Sequence, residues 1–157
     1  GEVMTAKWSE IGSDNIWRLS SQKTKNGRQQ IVPLSEGALA ILEDIKQFPE
    51  PDDYIFKTAR SPHIKHRTLQ NATARLANNA KIANFTPHDL RRTAATLLRK
   101  TGTRTETLKK ILNHSAGSVT DIYDHYNEAA EKRLALEALG RHLEGITADK
   151  GLLRAVA

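Results

Sequence analysis

The sequence predicts an α+β fold that is mostly helical, with a small three-stranded antiparallel sheet at the N-terminal end and about six helices after it. Two observations predict this class. In the first third, short runs of branched and aromatic residues alternate with turns rich in Asn and Gly, as in antiparallel strands. From Ser35 onward, apolar residues recur at helical spacing, with capping and breaking residues between the runs. We expect the 157 residues to form one domain, because a chain of this length can bury a core.

The three strands are expected at residues 6–11, 16–19 and 29–34. Residues 12–15 (Gly, Ser, Asp, Asn) form a strong turn signal between the first two strands. Asn26 and Gly27 form the Asn-Gly pair that favours a hairpin turn before the third strand. Pro33 is expected at the end of that strand or on an edge, because proline cannot donate to the ladder.

Caps and breakers define the helices. Ser35 is a predicted N-cap, and Thr86, Pro87 and Asp89 form a predicted capping box with proline at the first helical position. The predicted helices cover residues 36–48, 65–79, 87–100, 105–112, 119–123 and 128–143. The last of them is amphipathic, with an apolar side formed by Leu134, Leu136, Leu139 and Leu143.

Charge and composition favour some classes of partner and exclude some kinds of site. The formal net charge is +6, and basic residues are concentrated between Lys65 and Lys110, where only Asp89 and Glu106 are acidic. A basic middle segment favours a polyanionic partner. The absence of cysteine excludes disulfides, thiol nucleophiles and cysteine-based zinc sites. No apolar run approaches the ~18 residues of a membrane span and no secretory leader is visible, so we expect a cytoplasmic protein.

His88 and Arg91 form a His-x-x-Arg at a predicted helix start. Residues three apart share a helical face, and the free N–H groups of a first turn favour an anion. Arg91 can bind two phosphoryl oxygens, and His88 can donate to a third or move a proton. A surface ion pair with His88 as a cap is the simpler alternative.

His114 follows a short predicted helix, and Tyr123 lies nine residues later. A tyrosine that attacks phosphate needs its pKa of about 10 offset by cations and a base. Two histidines and an arginine supply both, although Tyr126 is a rival for the same role. Taken singly, His114 could instead bond a local carbonyl and Tyr123 could be a core aromatic.

Lys25 lies at the tip between the second and third predicted strands, with Lys23 and Arg28 as equivalent neighbours. A lysine there can enter a DNA groove or protonate a leaving oxygen. We expect Lys23, Arg28, Lys65, Arg67 and Arg92 to contact DNA.

Together these motifs resemble the tyrosine recombinases, the phage integrase family. The resemblance covers about residues 1–126, in family order and spacing: Lys25 ahead of residues 32–34, then His88 with Arg91, Leu112 with His114, and Tyr123. It implies that Tyr123 attacks the scissile phosphate to leave a 3′-phosphotyrosyl bond. It also implies that Arg91 stabilises the phosphorane, His88 acts as base, His114 binds the phosphate and Lys25 protonates the leaving 5′-oxygen. Neither a nucleotide cofactor nor a metal is implied.

The family also has an arginine three residues before the position of Glu2, which falls before Gly1. The resemblance therefore predicts the C-terminal catalytic part of a prophage or genomic-island integrase, without its N-terminal core-binding domain and with little or no cleavage activity of its own. We expect this fragment to be a monomer, and the full-length protein to form a homotetramer on double-stranded DNA attachment sites at the bacterial nucleoid. The tail, residues 127–157, packs either on its own domain or on a neighbouring protomer.

Three other functions compete. A non-catalytic helix-turn-helix-like DNA-binding module in residues 93–123 explains the charge but not His114, Tyr123 or Lys25. A type IB topoisomerase shares the chemistry and differs in motif spacing. A metal-dependent nuclease would use His63, His66 or the pair His88 and Asp89, but no carboxylates cluster with them, so no metal site is predicted.

Overall fold

The computed structural model describes residues 1–46, 53–58, 61–114 and 125–148, with side chains from residue 128 onward in the last range. These ranges contain two strands and five α-helices, which are β1 (Ile16–Leu19), β2 (Gln30–Pro33), α1 (Glu36–Ile45), α2 (His66–Asn79), α3 (Pro87–Lys100), α4 (Thr105–Ile111) and α5 (His125–Ala148). The fold is α+β and mostly helical, as predicted.

The sheet in the described residues has two strands, so the predicted three-stranded sheet is wrong. β1 and β2 are antiparallel, with Ile16 opposite Pro33. Three of residues 6–11 form a 3-10 helix, Trp8–Glu10, and the backbone on either side of it forms isolated bridges, Lys7 with Tyr54 and Ile11 with Trp17, instead of a strand ladder. The Glu10 carboxylate accepts the Lys7 backbone N–H at 3.0 Å. This local bond closes a turn that competes with a strand ladder.

The predicted helix starts at Ser35 and Thr86 are confirmed. The Ser35 hydroxyl accepts the Ala38 N–H at 3.4 Å, and Thr86 and Asp89 form the reciprocal capping box. α1 ends at Ile45 rather than at residue 48. The predicted helix at 119–123 lies outside the described residues, which therefore contain five α-helices rather than about six.

Helix α5 is longer than the predicted 128–143 and contacts β2, α1, α3 and α4. Glycine weakens a helix, yet α5 continues through Gly140. A Cβ at Gly140 would lie 3.2 Å from the Ser35 side chain, so the glycine permits close packing on the start of α1. Residues 125–148 pack on their own domain, whereas the rest of the tail, residues 149–157, lies outside the described residues.

The main apolar cluster lies between α3, α4 and α5. Leu98, Leu108 and Ala135 are buried in it, and Leu112 and Leu139 pack around them. This cluster holds the C-terminal half of α3 against α4 and so fixes how the two helices lie relative to each other. Among the described residues, no helix is long and apolar enough to cross a membrane.

Candidate active site

The C-terminal end of α4 is a left-handed turn that places His114. Asn113 has a φ of 52°. Its N–H bonds the Lys110 carbonyl at 3.1 Å, and the His114 N–H bonds the Lys109 carbonyl at 3.0 Å. These two bonds are those of a Schellman motif, in which asparagine is a common substitute for glycine at the left-handed position. The His114 side chain is exposed just beyond this turn.

The last carbonyls of a helix lack partners within the helix and must find them elsewhere. Here three successive carbonyls accept side chains from elsewhere in the chain. Gln30 of β2 donates to the Ile111 carbonyl at 3.1 Å, Arg91 of α3 donates to the Leu112 carbonyl, and Asn26 donates to the Asn113 carbonyl at 3.3 Å. We call residues 111–114 the α4 terminus.

Arg91 and His88 lie on the exposed first turn of α3. One guanidinium nitrogen of Arg91 binds the Leu112 carbonyl, and the negative end of the α4 dipole favours a cation there. Arginine has five N–H donors, so others remain for a phosphate. The capping box also keeps a negative charge in this turn, since the hydrogen bond from the Thr86 hydroxyl is the main cause that lowers the pKa of Asp89.

Lys25 lies in the loop between β1 and β2, and its side chain is exposed. The loop is closed by the buried Thr24, whose hydroxyl donates to the Arg28 carbonyl at 2.6 Å. Next to Lys25, the Asn26 amide donates to the Asn113 side-chain oxygen at 2.7 Å and accepts from the Asn113 amide at 3.3 Å. We call this reciprocal contact the Asn26–Asn113 amide pair. It joins residues 87 positions apart and brings the Lys25 loop to the α4 terminus.

Lys23, the nearest rival of Lys25, is engaged elsewhere. Its ammonium donates to the Thr5 carbonyl at 2.8 Å and pairs with the Glu10 carboxylate. Burial acts to raise the pKa of Glu10, but hydrogen bonds from Lys23, Lys7 and Trp17 together lower it. These contacts anchor the base of the loop and distinguish Lys23 from the exposed Lys25.

Four of the five predicted catalytic residues therefore lie on elements that are connected at the α4 terminus. The neighbour of Lys25, Asn26, bonds to the α4 terminus, and Arg91 bonds to it with its own side chain. His88 lies on the same helix as Arg91, and His114 is part of the α4 terminus itself. Tyr123 lies outside the described residues, and α5 begins two positions after it, at His125.

Four of the five residues predicted to bind DNA are exposed: Arg28, Lys65, Arg67 and Arg92. Lys65 is the N-cap of α2, and Arg92 lies 3.8 Å from the Asp89 carboxylate. Their contact with DNA stays a prediction, as does that of Lys23. Across the described part of the chain, no three His, Asp or Glu residues lie together as metal ligands would.

The sequence did not single out three residues that assemble this turn, namely Gln30, Asn26 and Asn113. In the sequence, Asn26 signals only a turn together with Gly27, which has a φ of 68° in the structure. The one local signal for Asn113 is its position at a predicted helix end, immediately before His114. Nothing local in the sequence links it to Asn26, since the contact spans 87 positions.

Comparison with known proteins gives a consistent family. Residues 1–130 match the model described as the phage integrase family. The chain is 31% identical over 116 residues to the prophage integrase IntA of Escherichia coli, which covers 72% of this chain and 27% of that protein. It is 33% identical over 124 residues to the tyrosine recombinase XerA of Saccharolobus solfataricus, covering 79% and 40%.

The tyrosine recombinase XerC of Corynebacterium glutamicum is 31% identical over 121 residues, covering 74% of this chain and 38% of that protein. The matched segments thus span well under half the length of these relatives. No solved structure gives a significant match.

Proposed function

This chain belongs to the phage integrase family, and on that premise we propose that it is the catalytic part of a site-specific DNA recombinase that uses Tyr123 as its nucleophile. The observation that carries the proposal is the α4 terminus. It joins an arginine and a lysine-bearing loop from separate parts of the chain to a turn that carries a histidine, and all three side chains are exposed. Hydrogen-bond donors and basic side chains collected in this way suit a phosphate that gains negative charge as it is attacked.

In the proposed reaction, the Tyr123 oxygen bonds to the scissile phosphorus and the bond from phosphorus to the 5′-oxygen breaks. His88 takes the tyrosine proton, and Lys25 gives a proton to the leaving 5′-oxygen. Arg91 and His114 hydrogen-bond the non-bridging oxygens. The products are a 3′-phosphotyrosyl linkage and a free 5′-hydroxyl. Attack by the 5′-hydroxyl of a second strand reverses these steps, so the phosphodiester is conserved without a nucleotide cofactor.

The substrate is double-stranded DNA bearing attachment sites, contacted by the exposed basic residues Arg28, Lys65, Arg67 and Arg92. Lys23 is the weakest of the predicted DNA contacts, because both Glu10 and Thr5 bind its ammonium. The likeness to a prophage integrase supports the integration of a prophage. A genomic island as the integrated element, a bacterial cytoplasm as the location and a homotetramer as the recombining assembly complete the proposal.

The test is covalent trapping of the full-length protein on a nicked attachment site from which the cleaved strand diffuses away. We expect Tyr123→Phe to abolish the adduct while DNA binding stays within about threefold of wild type, because only the nucleophilic oxygen is lost. Tyr126→Phe is the matched control and should trap normally. Adducts from Tyr123→Phe but not from Tyr126→Phe would move the nucleophile to Tyr126.

A DNA-binding module without chemistry is the second candidate. α3 and α4 are joined by a tight turn in which Gly102 has a φ of 85°, as in helix-turn-helix proteins. In that case wild type forms no adduct, and loss of Arg91 weakens binding alone. The same trapping assay on the 157-residue chain tests the expectation that this segment has little or no cleavage activity by itself, and efficient trapping would contradict it.

A further inference from the structure

The geometry points to Asn26 and Asn113 as positioning residues that hold Lys25 beside the phosphate site, an inference that rests on the proposed function. Neither amide needs to touch DNA in this role. The contact of interest is the Asn26–Asn113 amide pair, which joins the loop that carries Lys25 to the turn that carries His114.

The loop needs such a contact because its own bonds do not fix it against the helices. Thr24 and Gly27 close the loop on itself, and Lys23 ties its base to Glu10. None of these three contacts reaches α3 or α4. Among the described residues between β1 and β2, Asn26 makes the side-chain contact to the α4 terminus, and Gln30 of β2 makes the next one along the chain.

Asn113 is suited to this role by its backbone as well as by its amide. With a φ of 52° it takes the left-handed position of the Schellman motif. Its side-chain oxygen, its side-chain nitrogen and its own carbonyl all bond to Asn26. Both residues are only partly exposed, so water competes poorly for these bonds.

Arg91 binds the carbonyl immediately before Asn113. The same turn therefore contacts the arginine, carries the histidine and holds the lysine loop. Breaking the amide pair should release only the loop, because the Arg91 and Gln30 contacts use other carbonyls. The expected defect is in proton delivery to the leaving group rather than in phosphate binding.

The variants are Asn113→Gly, which removes the amide and keeps the left-handed backbone, and Asn26→Ala. The matched control is Asn15→Gly, the same change at an exposed asparagine with a φ of 60°. Lys25→Ala is the reference for complete loss of the proton donor. Thermal melts of each variant verify that it is folded.

Cleavage is measured in the full-length protein on two suicide substrates. One has the ordinary 5′-oxygen leaving group, and the other has a bridging 5′-sulfur, which departs without a proton. We expect Asn113→Gly and Asn26→Ala to slow cleavage of the oxygen substrate by about 10- to 100-fold with DNA affinity unchanged, as misplacement of a catalytic group does. Both should cleave the sulfur substrate at near the wild-type rate, and the double variant should be no slower than the slower single one.

Equal slowing on both substrates, or a wild-type rate on the oxygen substrate, overturns the inference while leaving the proposed function intact. If Lys25→Ala is not rescued by sulfur, Lys25 is not the proton donor and the inference falls. If wild type forms no covalent adduct, the proposed function itself fails and the inference falls with it.

Discussion

Lys132 of α5 is a buried cation, and removing either its charge or its carboxylate partner should measurably destabilise the fold. Its side chain is 3% exposed, and its ammonium lies 2.6 Å from the Glu128 carboxylate and donates to the Ile31 carbonyl of β2 at 3.2 Å. Glu128 is 19% exposed. The pair therefore anchors the first turns of α5, which begins two residues after the candidate nucleophile, to the sheet.

The unequal burial predicts unequal effects. Glu128→Gln leaves an ammonium charge inside with only neutral acceptors, and we expect a loss of about 3 kcal/mol in the free energy of unfolding, at the low end for a broken buried pair. Lys132→Met removes that charge, keeps the aliphatic stem and leaves a carboxylate that water can reach, so we expect a loss of only about 1–2 kcal/mol. The double variant should lie within about 1 kcal/mol of wild type, since no buried charge is then left without its partner.

Urea denaturation of the chain, followed by far-UV circular dichroism, measures all three. Glu43→Gln is the control, because Glu43 lies 3.8 Å from Lys46 in an exposed pair and should change stability by less than about 0.5 kcal/mol. A Glu128→Gln loss below about 1 kcal/mol, or one smaller than that of Lys132→Met, would refute the reasoning from burial.

Two further predictions concern the core and the loop base. Leu98 is 1% exposed, so Leu98→Ala should lower the free energy of unfolding by about 3–4 kcal/mol. Leu90 on the same helix is 57% exposed, so Leu90→Ala should change it by less than about 0.5 kcal/mol. Similar losses for the two variants in urea denaturation would contradict the packing of α3. The pKa of Glu10 is lowered below 4.5 in the folded state, so its contribution is present above that value and disappears as the pH falls through the folded pKa. The stability difference between wild type and Glu10→Gln should therefore be larger at about pH 6 than at about pH 3, and a difference independent of pH would count against the Lys23–Glu10 anchor.

Local chemistry explains which elements could be predicted. The capping box at Thr86 and Asp89, the Ser35 cap and the Asn-Gly turn before β2 involve residues within a few positions of each other, and all three are present. The first predicted strand, residues 6–11, does not form, and the reason lies outside its pattern of branched and aromatic residues. Glu10 satisfies the Lys7 N–H, and the same carboxylate is held by Trp17 and Lys23 from further along the chain.

The pattern of hydrophobic residues also does not predict which side chains of α5 are buried. Leu134 is 72% exposed, whereas Lys132 and Ala135 of the same helix are buried. The rotation of α5 is set by its partners on several sides, and Lys132 faces inward because Glu128 and the Ile31 carbonyl receive its charge. A buried lysine is tolerated only where such partners exist, and they lie on another element.

The sequence by itself determined the helix caps, the basic middle segment and the types of residue needed for phosphoryl transfer, because each depends on neighbours a few positions away. The tertiary structure decided which of those residues share one place. The carbonyls at the end of α4 needed partners, and Gln30, Asn26 and Arg91 supplied them from three other parts of the chain. A helix terminus left with unpaired carbonyls is satisfied by whatever the fold brings to it, and no local pattern records that choice.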